Sequence, residues 1–286
     1  MKVAVFGGTG YVGSYIVEEL VNQGFTPRLL VRNGSEKKIM KPRKCEIFKG
    51  DIDNTNIVEE VISQADVVIY LIAVIREFPR KGITWEKLQF KAARSCIDIS
   101  KTHNVKKFIL MSANGVKPHG TNYQKTKFMA DEYLKNSGLN YTIFRPTSLF
   151  GDPRGNGRPE FNTQILNDML SLPIPAPLFH NGLVPLNAGE FSFSPIHVKD
   201  VASIFVKSIN NESMLNKIYN LGGPDKVSWK NMIKTVSQAV GKKKFAIPAP
   251  VFVVKSIASI FKYFKWFPVT PQQLTIIMDC LLYTSD

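Results

Sequence analysis

A cluster of glycines near the start constrains this chain more than any other feature. Gly7-Gly8-Thr9-Gly10-Tyr11-Val12-Gly13 lies between a wholly apolar run, Val3 to Phe6, and a helical pattern from about Val12 to Asn22 that closes at Gly24. An apolar run without alternation suits a parallel strand buried on both faces. Gly7 suits a tight turn, Gly10 lets a ligand approach the backbone, and Gly13 permits close helix packing. The helix start then offers N–H groups and a positive dipole end to an anion, as a pyrophosphate site requires.

The alternation continues. Strand signals fall at Arg28 to Val31, Glu46 to Phe48, Val67 to Ile72, Lys107 to Met111, Tyr141 to Phe144 and Ile218 to Leu221. Helical signals fall between them: a helix through Val61 after the cap-type residues Asp51 to Asn54, then Trp85 to Thr102, Tyr123 to Lys135 and Lys199 to Ile209, with Ser228 to Val240 last. Strands and helices of this length demand right-handed parallel crossovers, and so an α/β Rossmann fold: a doubly wound parallel sheet with helices on both faces. After Pro146 the composition shifts, and Gly151 to Pro185 reads as irregular loop around one short helix near Thr163 to Leu170. We expect residues 1–150 to form the NAD(P)-binding core. Residues 151–286 would complete it over about 190–223 and add a small substrate-side lobe with C-terminal helices.

Composition narrows the partners. The chain carries 37 Lys and Arg against 23 Asp and Glu, a net charge of +14. That balance suits anionic partners, or a surface that uses lysine as its ordinary solvated residue. Cys45, Cys96 and Cys280 are too few and scattered for a disulfide framework or zinc spacing, which points to a reducing, cytoplasmic compartment. The four histidines form no ligand pair at helical spacing, so no metal is expected. The first apolar strand begins at Lys2, so no leader is expected, and no run of about 18 uncharged apolar residues suggests a membrane span. Nucleic acid is not expected as a partner, because the basic residues are dispersed and no nucleic-acid module is recognisable.

The end of the second strand discriminates between cofactors. An acid there would bind the ribose hydroxyls of NAD. This chain has Val31-Arg32 instead, with Lys37 and Lys38 close behind. A guanidinium suits a 2′-phosphate, so NADP(H) is favoured over NAD(H), although Arg32 also fits an ordinary exposed position.

With the glycine turn, Arg32, Lys49-Gly50-Asp51 and Arg145-Pro146-Thr147, the chain resembles the atypical and extended short-chain dehydrogenase/reductases over nearly all its length. His197-Val-Lys-Asp-Val-Ala202 resembles a segment of the NAD-dependent epimerase/dehydratase group. The Pro-Ala-Pro entry to a final apolar helix and the turn Pro268 to Gln273 are similar to the branch of the nucleotide-binding accessory subunit of respiratory complex I. The resemblance implies cofactor contacts from Gly7, Thr9, Gly10, Tyr11, Val12, Gly13 and Arg32. It further implies that Asp51 and Ile52 contact the adenine, that Ala73 lines the cofactor, and that Pro146 and Thr147 lie near the nicotinamide. Asp51 also suits a helix cap.

Tyr123 and Lys127 stand at i and i+4 on one predicted helix face. By the same resemblance Tyr123 is the general acid or base, and Lys127 stabilises its phenolate and binds the nicotinamide ribose. Ser112, at the end of the fifth strand, would polarise the substrate oxygen and so orient the substrate. The chain departs from the pattern after Ser112, where Ala113-Asn114 replaces a second hydroxyl residue, and the interval to Tyr123 is short.

Pro250 to Pro268 combines Lys255, Lys262 and Lys265 with Phe252, Ile260, Phe261, Phe264 and Phe267. It suits an interfacial helix on an anionic membrane, a contact with a membrane-bound partner, or a lid over the substrate cleft. Two functions follow. One is an NADP-linked oxidoreductase or epimerase-like enzyme acting on a small carbonyl, hydroxyl or nucleotide-sugar substrate. The other is a non-catalytic cofactor-holding accessory or assembly protein, peripheral on a respiratory membrane complex.

Overall fold

The computed structural model describes residues 1–155, 158, 160, 163, 165–171, 174–241, 243–261, 271–272 and 274–275. Seven strands form one sheet: β1 (Lys2–Phe6), β2 (Thr26–Val31), β3 (Glu46–Lys49), β4 (Val67–Tyr70), β5 (Lys107–Met111), β6 (Tyr141–Pro146) and β7 (Lys217–Leu221). Their order is β7-β6-β5-β4-β1-β2-β3, with every neighbouring pair parallel. Strand order reverses at β1, which makes the carboxyl ends of β1 and β4 the natural ligand crevice of the doubly wound sheet.

The apolar run Val3 to Phe6 of β1 is explained by its position. Val3, Ala4, Val5 and Phe6 are each fully buried, because successive side chains point to opposite faces and both faces are covered. On one face Ala4, Phe6, Val68, Tyr70 and Phe108 join residues of α2 (Thr55–Ile62), α3 (Ala92–Thr102) and α4 (Asn122–Lys135) in a single core cluster. Opposite them, α1 (Tyr11–Asn22) packs on α5 (Val198–Ser208).

Helix ends follow the capping residues. Asn54 caps α2 by accepting from the N–H groups of Asn56 (3.1 Å) and Ile57 (3.4 Å). Asp51 therefore does not cap this helix; it is exposed just beyond β3, its Oδ1 accepting from the Asp53 N–H at 3.3 Å. Thr121 and Gln124 form a reciprocal capping box at the start of α4. The long helix expected from Trp85 begins instead as a π-helical stretch, Glu86–Lys91, before α3. There Trp85 Nε1 and Gln89 Nε2 both donate to the Val74 carbonyl, at 2.8 and 3.2 Å.

By its contacts the chain divides into two units. The first comprises Met1–Pro146, Gly151–Arg158 and His197–Leu221; the second comprises Thr147–Phe150, Pro159–Ile196 and Gly222–Asp286. In the second unit, Ala176–His180 pairs in parallel with Ala246–Pro250. Neither strand was legible in the sequence, because both contain proline, which lacks a ladder donor. A two-stranded pair tolerates this, since each strand has an outer edge. Beneath it Trp229, fully buried, stacks on Phe179 (5.6 Å) and Phe191 (5.8 Å) and donates Nε1 to the Pro177 carbonyl at 2.8 Å. Of the apolar C-terminal segment the helix Val251–Phe261 is described, and it leaves Phe252, Ile257 and Ile260 exposed. Lys262, Phe264, Lys265, Phe267, Cys280 and the turn Pro268 to Gln273 fall wholly or partly outside the described residues.

Lys107 opens β5 at the amino edge of the sheet, buried, with Nζ donating to the Ser208 carbonyl at 2.5 Å at the end of α5. Burial pushes its pKa down to about 8. The unfolded chain holds that proton up to about pH 10.4, so between the two values the unfolded state binds more protons and stability rises with pH. Urea unfolding from pH 7.5 to 10.5 should show this rise, and Lys107→Met should flatten it.

Candidate functional site

The site at the carboxyl edge starts with the turn after β1. Gly7 has φ +94°, and the Gly10 N–H donates to its carbonyl at 3.0 Å. A Cβ on Gly13 would lie 2.1 Å from the Gly7 oxygen, so packing of α1 on the turn demands glycine there. Gly10 differs. A Cβ on it would meet only the Gly7 oxygen, at 3.2 Å, and the residue is exposed. Internal packing accounts for Gly7 and Gly13, whereas Gly10 leaves open a cradle that a side chain would fill. Gly10 supplies no capping side chain to α1, whose first turn carries no acid. The positive end of that helix is thus not neutralised from within. These features fit a bound dinucleotide pyrophosphate.

Around the turn, Tyr11 and Val12 are buried and Thr9 half-buried. Arg32 follows β2 with its side chain exposed and no carboxylate partner among the described residues. Ile52 is buried in the core cluster beneath the end of β3. Ala73 is exposed just beyond β4, after Leu71 and Ile72, whose atoms wall the turn at Gly7. Pro146 ends β6, and its carbonyl accepts the Asn114 N–H at 3.0 Å. Thr147 belongs to the second unit, where its Oγ1 donates to the Ser194 carbonyl at 2.5 Å.

The second part of the site lies where β5 meets α4. The Ser112 N–H donates to the Phe144 carbonyl at 2.8 Å, continuing the β5–β6 ladder one step and holding Ser112 in place. Its hydroxyl donates to Asp131 Oδ2 at 3.0 Å. The same oxygen accepts from Arg145 Nε (3.0 Å) and Nη2 (2.8 Å). Asp131 is fully buried, and its Oδ1 has no partner among the described residues. Burial raises its carboxyl pKa, opposed by the Arg145 charge and the Ser112 hydrogen bond.

Lys127 is buried and donates Nζ to the Met111 carbonyl at 3.0 Å, with the Tyr123 ring centroid 5.9 Å away. Tyr123 lies edge-on to Trp85 at 6.3 Å. Ser112, Lys127 and Asp131 line one small pocket with Met111, Tyr70 and Gln89. The structure thus brings Ser112 and Lys127 to one pocket, with Tyr123 beside Lys127 rather than in the pocket lining, and adds Asp131 and Arg145, which sequence reasoning missed. Asp131 continues the i, i+4 series of Tyr123 and Lys127, so helical spacing carried the signal.

A glycine turn at the switch point of a doubly wound sheet, with an open cradle against a helix start, defines a dinucleotide-binding Rossmann protein. The NAD(P)H-binding family model matches residues 7–168, more than half of the chain, and the chain belongs to that family, within the short-chain dehydrogenase type. It is 24% identical over 270 residues to the mitochondrial 40 kDa subunit of NADH-ubiquinone oxidoreductase from Neurospora crassa, covering 93% of this chain and 67% of that protein. It is 23% identical over 284 residues to the chloroplastic divinyl chlorophyllide a 8-vinyl-reductase of Cucumis sativus, covering 93% and 64%. The chain thus spans about two thirds of these relatives. The solved structure of the Bordetella bronchiseptica enzyme WbmH in complex with NAD+ shares the fold, with a TM-score of 0.70, 19% identity, and coverage of 87% and 85%.

The Asp131–Arg145 pair invites a stability test. Asp131→Ala leaves a partly buried guanidinium uncompensated and should cost about 3 kcal/mol in denaturant unfolding. The double variant Asp131→Leu/Arg145→Met should recover most of that loss.

Proposed function

We propose that this protein binds NADP(H) in preference to NAD(H) and acts as an oxidoreductase or epimerase-like enzyme on a small carbonyl or hydroxyl substrate. The observation that carries the catalytic reading is Lys127, a buried ammonium fixed by the Met111 carbonyl beside the Tyr123 ring. A bound nicotinamide would supply or accept the hydride. The Tyr123 hydroxyl would donate its proton to the substrate oxygen as a carbonyl is reduced, or take it back in the reverse direction. Lys127 would hold the resulting phenolate by its charge. Ser112 contributes differently from the expectation. Its proton is committed to Asp131, so it would meet the substrate as an acceptor, orienting a hydroxyl rather than polarising a carbonyl.

For the cofactor, support comes from the fit of Gly10 and the α1 end to a pyrophosphate and from Arg32 standing where an acid would favour NAD. Ala73, Asp51, Ile52 and Pro146 are proposed for the cofactor contacts that the family pattern implies. A second reading, a cofactor-holding subunit peripheral to a membrane complex, is favoured by the exposed Phe252, Ile257 and Ile260 of the helix Val251–Phe261 and by the relative in NADH-ubiquinone oxidoreductase. Among the described residues, no helix is long and apolar enough to cross a membrane.

Nicotinamide fluorescence titration should show NADPH bound more tightly than NADH, and Arg32→Asp should reduce NADPH affinity about tenfold more than NADH affinity. Equal losses would sink the 2′-phosphate assignment. In a screen of carbonyl substrates, Tyr123→Phe should lower turnover by about 10²-fold or more while leaving NADPH affinity within about twofold. A wild-type protein that binds NADPH, turns nothing over and sediments with membranes would instead establish the second reading.

A further inference from the structure

Arg158 is 4% exposed, although it follows the irregular segment beyond Gly151. Its guanidinium reaches two separate walls of the first unit. Nε donates to the Thr9 carbonyl in the glycine turn at 3.1 Å, and Nη2 donates to the Lys38 carbonyl at 2.7 Å. Nη1 lies 3.4 Å from the Pro153 carbonyl and 3.3 Å from that of Arg154. Every one of these acceptors is a neutral peptide oxygen. No carboxylate pairs with Arg158 among the described residues, whereas Arg154, four residues earlier, pairs with Glu18 and covers the Tyr15 ring at 3.5 Å.

A buried cation held only by neutral groups is costly unless an anion completes it. Burial and the neighbouring Arg154 charge press Arg158 toward losing its proton, Tyr15 and Asp152 oppose them, and a bound anion would add to that opposition. Its location indicates which anion. Successive turns lead from Arg32 to Lys38: the Ser35 N–H donates to the Arg32 carbonyl at 2.9 Å, and the Lys38 N–H to the Ser35 carbonyl at 3.0 Å. Arg158 therefore ties the glycine turn to the segment that follows β2. In a dinucleotide seated on such a turn, the adenosine ribose lies between the turn and the end of the second strand. A group on its 2′ oxygen points to that segment.

We propose that Arg158 is the buried half of an anion subsite for the 2′-phosphate of an adenosine cofactor, with exposed Arg32 as the other half. This rests on the nucleotide-binding reading above. Arg158 closes the subsite by bonding both walls and supplies a charge with no carboxylate hydrogen-bonded to it among the described residues. Arg32 supplies a second charge from the solvent side. Selectivity for the phosphorylated cofactor would then depend on a residue far from the glycine turn in sequence.

Calorimetric titration of the full chain with two ligand pairs, NADPH against NADH and adenosine 2′,5′-bisphosphate against 5′-AMP, separates the outcomes. Arg158→Gln should lose about tenfold in affinity for the phosphorylated member of each pair and less than about twofold for the other. Arg158→Lys, which keeps the charge but not the fork, should recover part of the loss; it carries the same comparison should the glutamine variant fail to fold. Equal losses within each pair would show that Arg158 only braces the turn, and no loss would show that it does neither; both overturn the proposal. If Arg32→Asp abolishes the NADPH preference while Arg158→Gln leaves it intact, the NADP reading stands and the Arg158 subsite falls. A wild type that does not distinguish the paired ligands overturns both.

Discussion

A missing methyl group organises the carboxyl edge of the sheet. Because Gly13 has no Cβ, α1 can start against the Gly7 carbonyl, where a methyl would stand 2.1 Å from the oxygen. That approach sets the first turn of α1 directly over the end of β1. It also fixes Thr9, whose carbonyl takes the Arg158 guanidinium. The positive end of α1, the open Gly10 cradle and the bridge to Lys38 all depend on one helix being allowed to sit abnormally close to one turn.

The other half of the edge depends on α4. Its capping box fixes where the helix begins, and the 3.6-residue repeat then carries Tyr123, Lys127 and Asp131 down one side. These three meet different demands. Tyr123 remains half-buried against Trp85, Lys127 reaches the end of β5, and Asp131 lies beneath Ser112. Burying a carboxylate there is tolerable because Arg145, one strand over, faces it. The same carboxylate dictates the direction of the serine hydroxyl. Asp131 thereby decides what kind of hydrogen bond Ser112 can offer to the pocket.

How much of this the sequence shows depends on whether the signal is local. The parallel strands were legible because most of them are short, largely apolar runs alternating with helices, and the glycine turn because its neighbours give it context. Several details depended on competition that spacing alone does not resolve. Asp51 and Asn54 both suit a cap, and the backbone chose Asn54, the residue immediately before the helix. Ala176–His180 and Ala246–Pro250 were hidden by their prolines. Ser112 was placed correctly at its strand end, yet the direction of its hydroxyl depended on Asp131, 19 residues away. Arg158 carried no local pattern at all, because its partners Thr9 and Lys38 lie 149 and 120 residues earlier.

The net charge of +14 alone says little about where an anion would bind, and the two edges of the sheet show why. At the amino edge cations are matched. Arg28, buried, pairs with Glu46 and donates to the Glu60 and Val61 carbonyls at the end of α2, while Lys106 pairs with Asp66 at 2.8 Å. Lys107 lies against the last carbonyls of α5. Such pairings leave little field to attract a ligand. At the carboxyl edge, Arg32 and Arg158 have no carboxylate partner among the described residues, and the start of α1 adds its own positive end. Unmatched charge, rather than total charge, creates a directed potential in a concave site. The fold places it at the end of the sheet where the strand order reverses, so an anion bound there would meet the cations that lack a carboxylate partner among the described residues.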